Sequence, residues 1–192
     1  MFTRIMSKGG KVDKILISGT GRCGTGCVAK CLTDLGIICG HERIYSIDGI
    51  KKWNQYQADS SWLGIPYFPS FNGIKILLIR EPVKCISSLV NCKLFTKNYN
   101  PYQSYMRRLG YNNPFQFYLE VNSLLFINCD YILDIDHLEG VLPNVKKWKH
   151  YNHRSGIEIK GDYIEAIDLY KKIHLHRLRT PLLEQLCPTE TN

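Results

Sequence analysis

One junction limits what this chain can become. The apolar run Val12–Ser18 (V-D-K-I-L-I-S) flows into Gly19-Thr-Gly-Arg-Cys-Gly24 and then into a helix-favouring stretch. A short apolar run closed by a glycine cluster reads as a buried strand. Thr25–Leu35 then sets Val28, Cys31, Leu32 and Leu35 on one helical face, with Gly36 as the stop. Strand, glycine loop and helix in that order predict one unit of a parallel sheet, where ligands gather beyond the carboxyl ends of the strands.

The remaining pattern extends that rhythm. Ile37–Cys39 reads as a brief strand, and Ile74–Ile79 (I-K-I-L-L-I) is the clearest strand in the sequence. Pro82 falls in the first turn of the following helix, Val83 to about Leu94, which turns Cys85, Ile86, Leu89 and Val90 inward. Residues 96–113 are rich in Asn, Tyr and Arg and read as a long irregular loop. Pro114–Asn128 is expected as a helix, Tyr131–Ile135 as a strand, and 162–186 as mostly helical with a break at Pro181. The expected fold is therefore α/β: a three-layer P-loop-like arrangement with a central, mostly parallel sheet between helices. Residues 1–192 are expected to form a single domain, with 1–11 as a flexible leading segment.

Composition narrows the function classes. With 44% apolar and 22% charged residues the chain is globular rather than disordered. No apolar run approaches the roughly 18 residues that span a bilayer. Met1–Lys14 has no apolar stretch of the kind that directs export, so a cytoplasmic location is expected. The net charge of +8 points to an anionic partner. No Lys/Arg block exceeds two or three residues, which argues against a nucleic-acid stripe. The eight cysteines include no C-x-x-C pair, and Cys23, Cys27 and Cys31 read as small buried thiols along one side of a helix.

Three readings compete for the glycine loop. Gly19-x-Gly21-x-x-Gly24 matches the dinucleotide fingerprint, with Glu42 as the ribose-binding acid. Gly19-x-x-x-x-Gly24 matches the start of a nucleoside-triphosphate loop, but Thr25-Gly26 stands where Lys-Ser/Thr should follow. Without that lysine, ordinary triphosphate hydrolysis is disfavoured. The third reading is a cradle for one phosphate-sized anion, made of backbone N–H groups at a helix N-terminus with Arg22 and the Thr25 hydroxyl beside them. A second constellation follows Ile79: Arg80 at the strand end and Ser88 eight residues on, a guanidinium and a hydroxyl suited to a second phosphate.

These two motifs carry a resemblance. Arg22-Cys-Gly-Thr-Gly26 is similar to the 5′-phosphosulfate loop (Lys/Arg-x-Gly-Thr/Ser-x) of sulfotransferases that use 3′-phosphoadenosine-5′-phosphosulfate (PAPS), and Arg80, Pro82 and Ser88 are similar to their 3′-phosphate motif. Leu35–Glu42 and Asp59–Pro66 look like the bacterial and carbohydrate-type branches of that family. The likeness is good over 14–92, weaker over Tyr131–Leu138 and faint thereafter. Gly26 departs from the usual second Thr or Ser, and Arg22 replaces the commoner lysine.

The resemblance implies a P-loop-like fold, PAPS as cofactor with PAP (its desulfated product) released, and no metal requirement. It places the cofactor on Gly21, Arg22, Cys23, Gly24, Thr25, Gly26 and Cys27, with Arg80 and Ser88 at the 3′-phosphate; Arg154, in the C-terminal segment, is a further candidate for the same phosphate. It names Glu42 as general base, with His41 as rival because its ordinary pKa suits proton transfer near neutrality. Arg22 is to stabilise charge on the departing phosphate. The acceptor is expected to be a hydroxyl-bearing carbohydrate lying on 96–113, where Tyr99, Tyr102, Tyr105, Arg107, Arg108 and Tyr111 offer stacking faces and cations. Two other classes stay open: a dinucleotide-dependent oxidoreductase built on Gly19–Gly24 and Glu42, and a non-catalytic module that keeps an anion pocket.

Overall fold

The computed structural model describes residues 13–95, 101–139, 142 and 163–179. In chain order the strands are β1 Ile15–Ser18, β2 Cys39–His41, β3 Tyr45–Ser46, β4 Gly49–Ile50, β5 Ala58–Ser60, β6 Ile74–Ile79 and β7 Tyr131–Asp134. The helices are α1 Thr25–Asp34, α2 Pro82–Asn91, α3 Pro101–Arg108, α4 Pro114–Phe126 and α5 Ile164–Arg179. Short 3-10 segments occupy Trp62–Tyr67 and Ile135–His137.

Five strands form one parallel sheet in the order β2-β5-β1-β6-β7, and β3 and β4 make a separate antiparallel hairpin. Ile15 pairs with Ala58 on one side and Ile74 on the other, which puts β1 at the centre. All four of its residues are buried, as both faces of a covered parallel strand require. Helix α1 packs against β2 and β5, while α4 and α5 lie against β6 and β7. This is the expected three-layer α/β architecture.

Local chemistry explains the boundaries. Gly36, at φ 86°, donates its N–H to the Thr33 carbonyl at 3.0 Å while Ile37 N–H reaches Leu32 O at 3.0 Å, a paired C-terminal cap that ends α1. Helix α2 opens with Pro82 and is capped by Glu81, whose carboxylate accepts the Val83 and Lys84 N–H groups at 3.0 and 2.9 Å. Asn113 caps α4 in the same way, accepting the Phe115 N–H at 2.8 Å. On α2, Cys85, Ile86 and Leu89 are buried as expected, but Val90 is half-buried and Ser87 takes an inward place.

The stretch expected as an irregular loop departs from that reading, because 101–108 form helix α3. Its polar surface hides an inward pair, Tyr105 and Met106, and Tyr105 packs edge-on against Trp62 at 5.9 Å. Tertiary burial, rather than any strong local signal, creates these two turns. The tail is helical over Ile164–Arg179; Pro181 and the residues after it lie outside the described residues.

Gly19 shows how tightly the centre is built. A Cβ there would stand 2.1 Å from the Leu78 carbonyl oxygen of β6. Gly19→Ala must push β1 and β6 apart and is expected to cost about 3 kcal/mol, the upper range for overpacking a core. Gly36→Ala meets no atom within 4 Å and bears only its positive φ, a loss of about 1–2 kcal/mol. Urea unfolding of both variants checks this; equal losses would show that the Gly19 contact is unimportant.

Candidate functional site

The site grows from the carboxyl edge where β1 and β6 lie side by side. The chain leaves β1 toward β2 on one flank and leaves β6 toward β7 on the other, so a crevice opens between them. The loop Gly19–Gly24 lines it. Its Thr20 hydroxyl and the Cys85 thiol of α2 are 3.1 Å apart, and that thiol lies 3.7 Å from the Gly21 carbonyl. Burial pushes the Cys85 thiol up to about 11 and raises Cys23 as well, so both stay protonated. They hold the loop in place rather than act as nucleophiles.

Arg22 takes a left-handed backbone, φ 71°, and its Nε donates to the Ser88 hydroxyl at 3.1 Å. Arg80 Nη1 donates to the Arg22 carbonyl at 3.0 Å. Arg22, Arg80 and Ser88, expected from two separate motifs, thus meet in one cluster. Arg80 is itself steadied: the Tyr118 hydroxyl donates to its carbonyl at 2.7 Å, and the next amide, Glu81 N–H, reaches Asp136 Oδ2 at 3.0 Å. Burial pushes the Asp136 carboxyl up, but that amide and the Lys84 ammonium outweigh it and leave Asp136 below its usual value. Beside the cluster, α1 begins at Gly24 with no side-chain cap, unlike α2 and α4. Its first-turn N–H groups therefore supply partial positive charge next to two guanidinium groups.

His41 and Glu42 flank the same helix start. His41 Nε2 lies 3.2 Å from the Thr25 hydroxyl and 3.7 Å from Glu42 Oε1. Burial raises the Glu42 carboxyl, helped by the Asp59 charge and opposed by a hydrogen bond from the Trp62 indole. Burial, with Arg43 and Lys30, holds the His41 imidazole below its ordinary value. A carboxyl pushed upward and an imidazole held below its ordinary value thus lie 3.7 Å apart beside the start of α1. At Gly26, where the resemblance implies a hydroxyl residue, an added Cβ would make only ordinary contact with His41, 3.4 Å from Cε1, so space does not dictate the glycine. Buried Asp59 supports the turn, accepting the Arg43 and Tyr45 N–H groups at 3.1 and 3.3 Å.

Of the aromatic residues on 96–113, the structure separates two roles. Tyr105 is buried, and Tyr111 packs on Phe117 at 5.0 Å, so both serve the core. Tyr102 is 37% exposed, its ring is tilted against Trp62 at 6.1 Å, and burial with the Glu42 charge pushes its hydroxyl up. Tyr99 and Arg154 lie outside the described residues.

The expectation that no metal is required is overturned by a group that sequence reading missed. Asp134, His137 and His174 bring one carboxylate oxygen and two ring nitrogens within 4.8 Å of one another, a donor set able to hold a metal ion. Asp134 and His137 are neighbours in sequence, whereas His174 arrives from α5, forty residues away. No local spacing could have announced it.

The chain matches no protein-family model and no curated protein. Fold and loop still define a class: a three-layer α/β protein of nucleotide- or anion-binding type. Among the described residues, no helix is long and apolar enough to cross a membrane.

The raised Glu42 pKa carries a stability signature. A carboxyl whose folded pKa exceeds its unfolded one penalises the fold as it ionises. The penalty is absent below the ordinary value of 4.5 and develops as pH rises through the folded value. Glu42→Gln should therefore gain stability relative to the wild type at about pH 7 compared with about pH 3.5. Unfolding titrations at both pH values measure it; a pH-independent difference would contradict the burial of this carboxyl.

Proposed function

We propose that the chain is a sulfotransferase that moves the sulfuryl group of PAPS to a hydroxyl, on a carbohydrate, and releases PAP. The observation that carries this reading is the single cationic cluster formed by Arg22, Arg80 and Ser88 beside the uncapped start of α1. PAPS bears phosphate-type charge at both the ribose and the outer end of one nucleoside, and such a cluster suits it.

In this reading the acceptor oxygen attacks sulfur in line. The new O–S bond forms as the S–O bond to the 5′-phosphate breaks, and the electron pair leaves on PAP. Arg22 and the loop N–H groups receive the charge that grows on the departing phosphate. Glu42 takes the acceptor proton, with His41 and Thr25 next in the chain of contacts. Arg80 and Ser88 hold the 3′-phosphate. Tyr102 offers its face to the sugar ring. The oxidoreductase reading is less well supported, because β5 stands between β1 and β2. In the dinucleotide fold the acid ends the strand directly beside the first, whereas Glu42 follows β2.

PAP should raise the unfolding temperature while NADH and 5′-AMP leave it unchanged. Arg22→Ala should lower turnover about 100- to 1,000-fold. Arg80→Ala and Ser88→Ala should weaken PAP, with the arginine worth on the order of 2 kcal/mol. PAP binding without sulfuryl transfer to any carbohydrate would reduce the chain to a binding module. A shift with NADH alone would replace the proposal by the oxidoreductase.

A further inference from the structure

Independently of that reading, a second site stands at the end of β7. The Asp134 carboxylate is fully buried. Its Oδ2 lies 2.8 Å from His137 Nδ1, 2.9 Å from His174 Nδ1 and 2.7 Å from the Tyr170 hydroxyl. Its Oδ1 accepts the Asp136 N–H at 3.0 Å. A carboxylate oxygen offers about two lone pairs, so three donors on Oδ2 oversubscribe it. The two imidazole rings converge on that oxygen from different elements, with centroids 4.8 Å apart. His137 is 52% exposed along its side chain and His174 is 23% exposed, which leaves a route from solvent to the nitrogens.

We infer that Asp134, His137 and His174 form a binding site for a divalent cation of the zinc class. Ligands held about 2.0–2.1 Å from such an ion in tetrahedral array sit roughly 3.3 Å apart. The nitrogen–oxygen spacings of 2.8 and 2.9 Å are a few tenths of an ångström inside that value, while the three donor atoms together spread to 4.8 Å. Swinging the two rings toward each other and slightly off Oδ2 admits the cation, which takes the place of the two Nδ1 protons and relieves the crowding on Oδ2. Two imidazoles and one carboxylate favour zinc over magnesium or calcium, which prefer oxygen alone, and over copper(I), which prefers thiolates. Three protein ligands leave a fourth position toward Tyr170 or water.

The ion would clamp α5 to the end of β7 and to the 3-10 turn Ile135–His137. That turn is the wall of the glycine loop: a Cβ on Gly24 would stand 2.7 Å from Ile135 Cγ1. The clamp therefore acts as a structural staple behind the anion loop.

The test uses the full chain without an affinity tag, stripped with chelator and titrated with zinc and with cobalt(II). One equivalent should bind and raise the unfolding temperature. His137→Ala, at an exposed position that should not disturb folding, and His174→Ala should each weaken zinc at least about tenfold. The cobalt spectrum should show nitrogen and oxygen ligands without thiolate charge-transfer absorption. No binding, wild-type affinity in either histidine variant, or a thiolate spectrum pointing to the cysteines would overturn the assignment.

Discussion

Parallel pairing of β1 with β6 is the constraint from which the site follows. It places the exits of both strands at one edge, within reach of each other, and Gly19 admits the close approach that the Leu78 carbonyl demands. With a larger residue there, the two exits would part. The Arg22 carbonyl would then leave Arg80, and the Arg22 guanidinium would leave Ser88. The positive charge at this edge is therefore a product of sheet packing, concentrated by backbone geometry rather than by a run of basic residues.

Much of this was readable in the sequence where apolar runs or special backbones speak plainly. Ile15–Ser18 is buried throughout, Ile74–Ile79 is a continuous strand buried over its last four residues, Gly36 ends α1, and Pro82 begins α2. The pairing of Arg22 with the Arg80 and Ser88 motif was anticipated as two patches and is found as one. What escaped had no local signature. Strand β5 is three residues long and carries a buried aspartate, which is not a strand's usual composition, and the strand expected at Ile37–Cys39 lies two residues further on, at Cys39–His41, where a glycine blurs the pattern. Helix α3 depends on Tyr105 finding Trp62, a contact across some forty residues. The Asp134 group needed α5 to fold back, which no spacing rule foretells.

The two histidine-bearing groups divide the labour of the carboxyl edge. His41 belongs to the open side, near Glu42 and the start of α1. His137 and His174 belong to the rear, where Asp134 joins the last strand to the last described helix. Ile135 lies between them, touching the glycine loop on one side and following Asp134 directly on the other. One aliphatic side chain, a single peptide unit from Asp134, thus joins the rear group to the loop.

Cys23 and Cys85 have a practical corollary. Both sulfurs are wholly covered around the loop and are kept as thiols. Electrophiles and peroxide react with exposed thiolates, so the resting molecule shields these two from alkylation and oxidation. Each labelling event at either position records a moment when the strand junction has breathed, and the protein carries its own clock for the opening of its anion cradle.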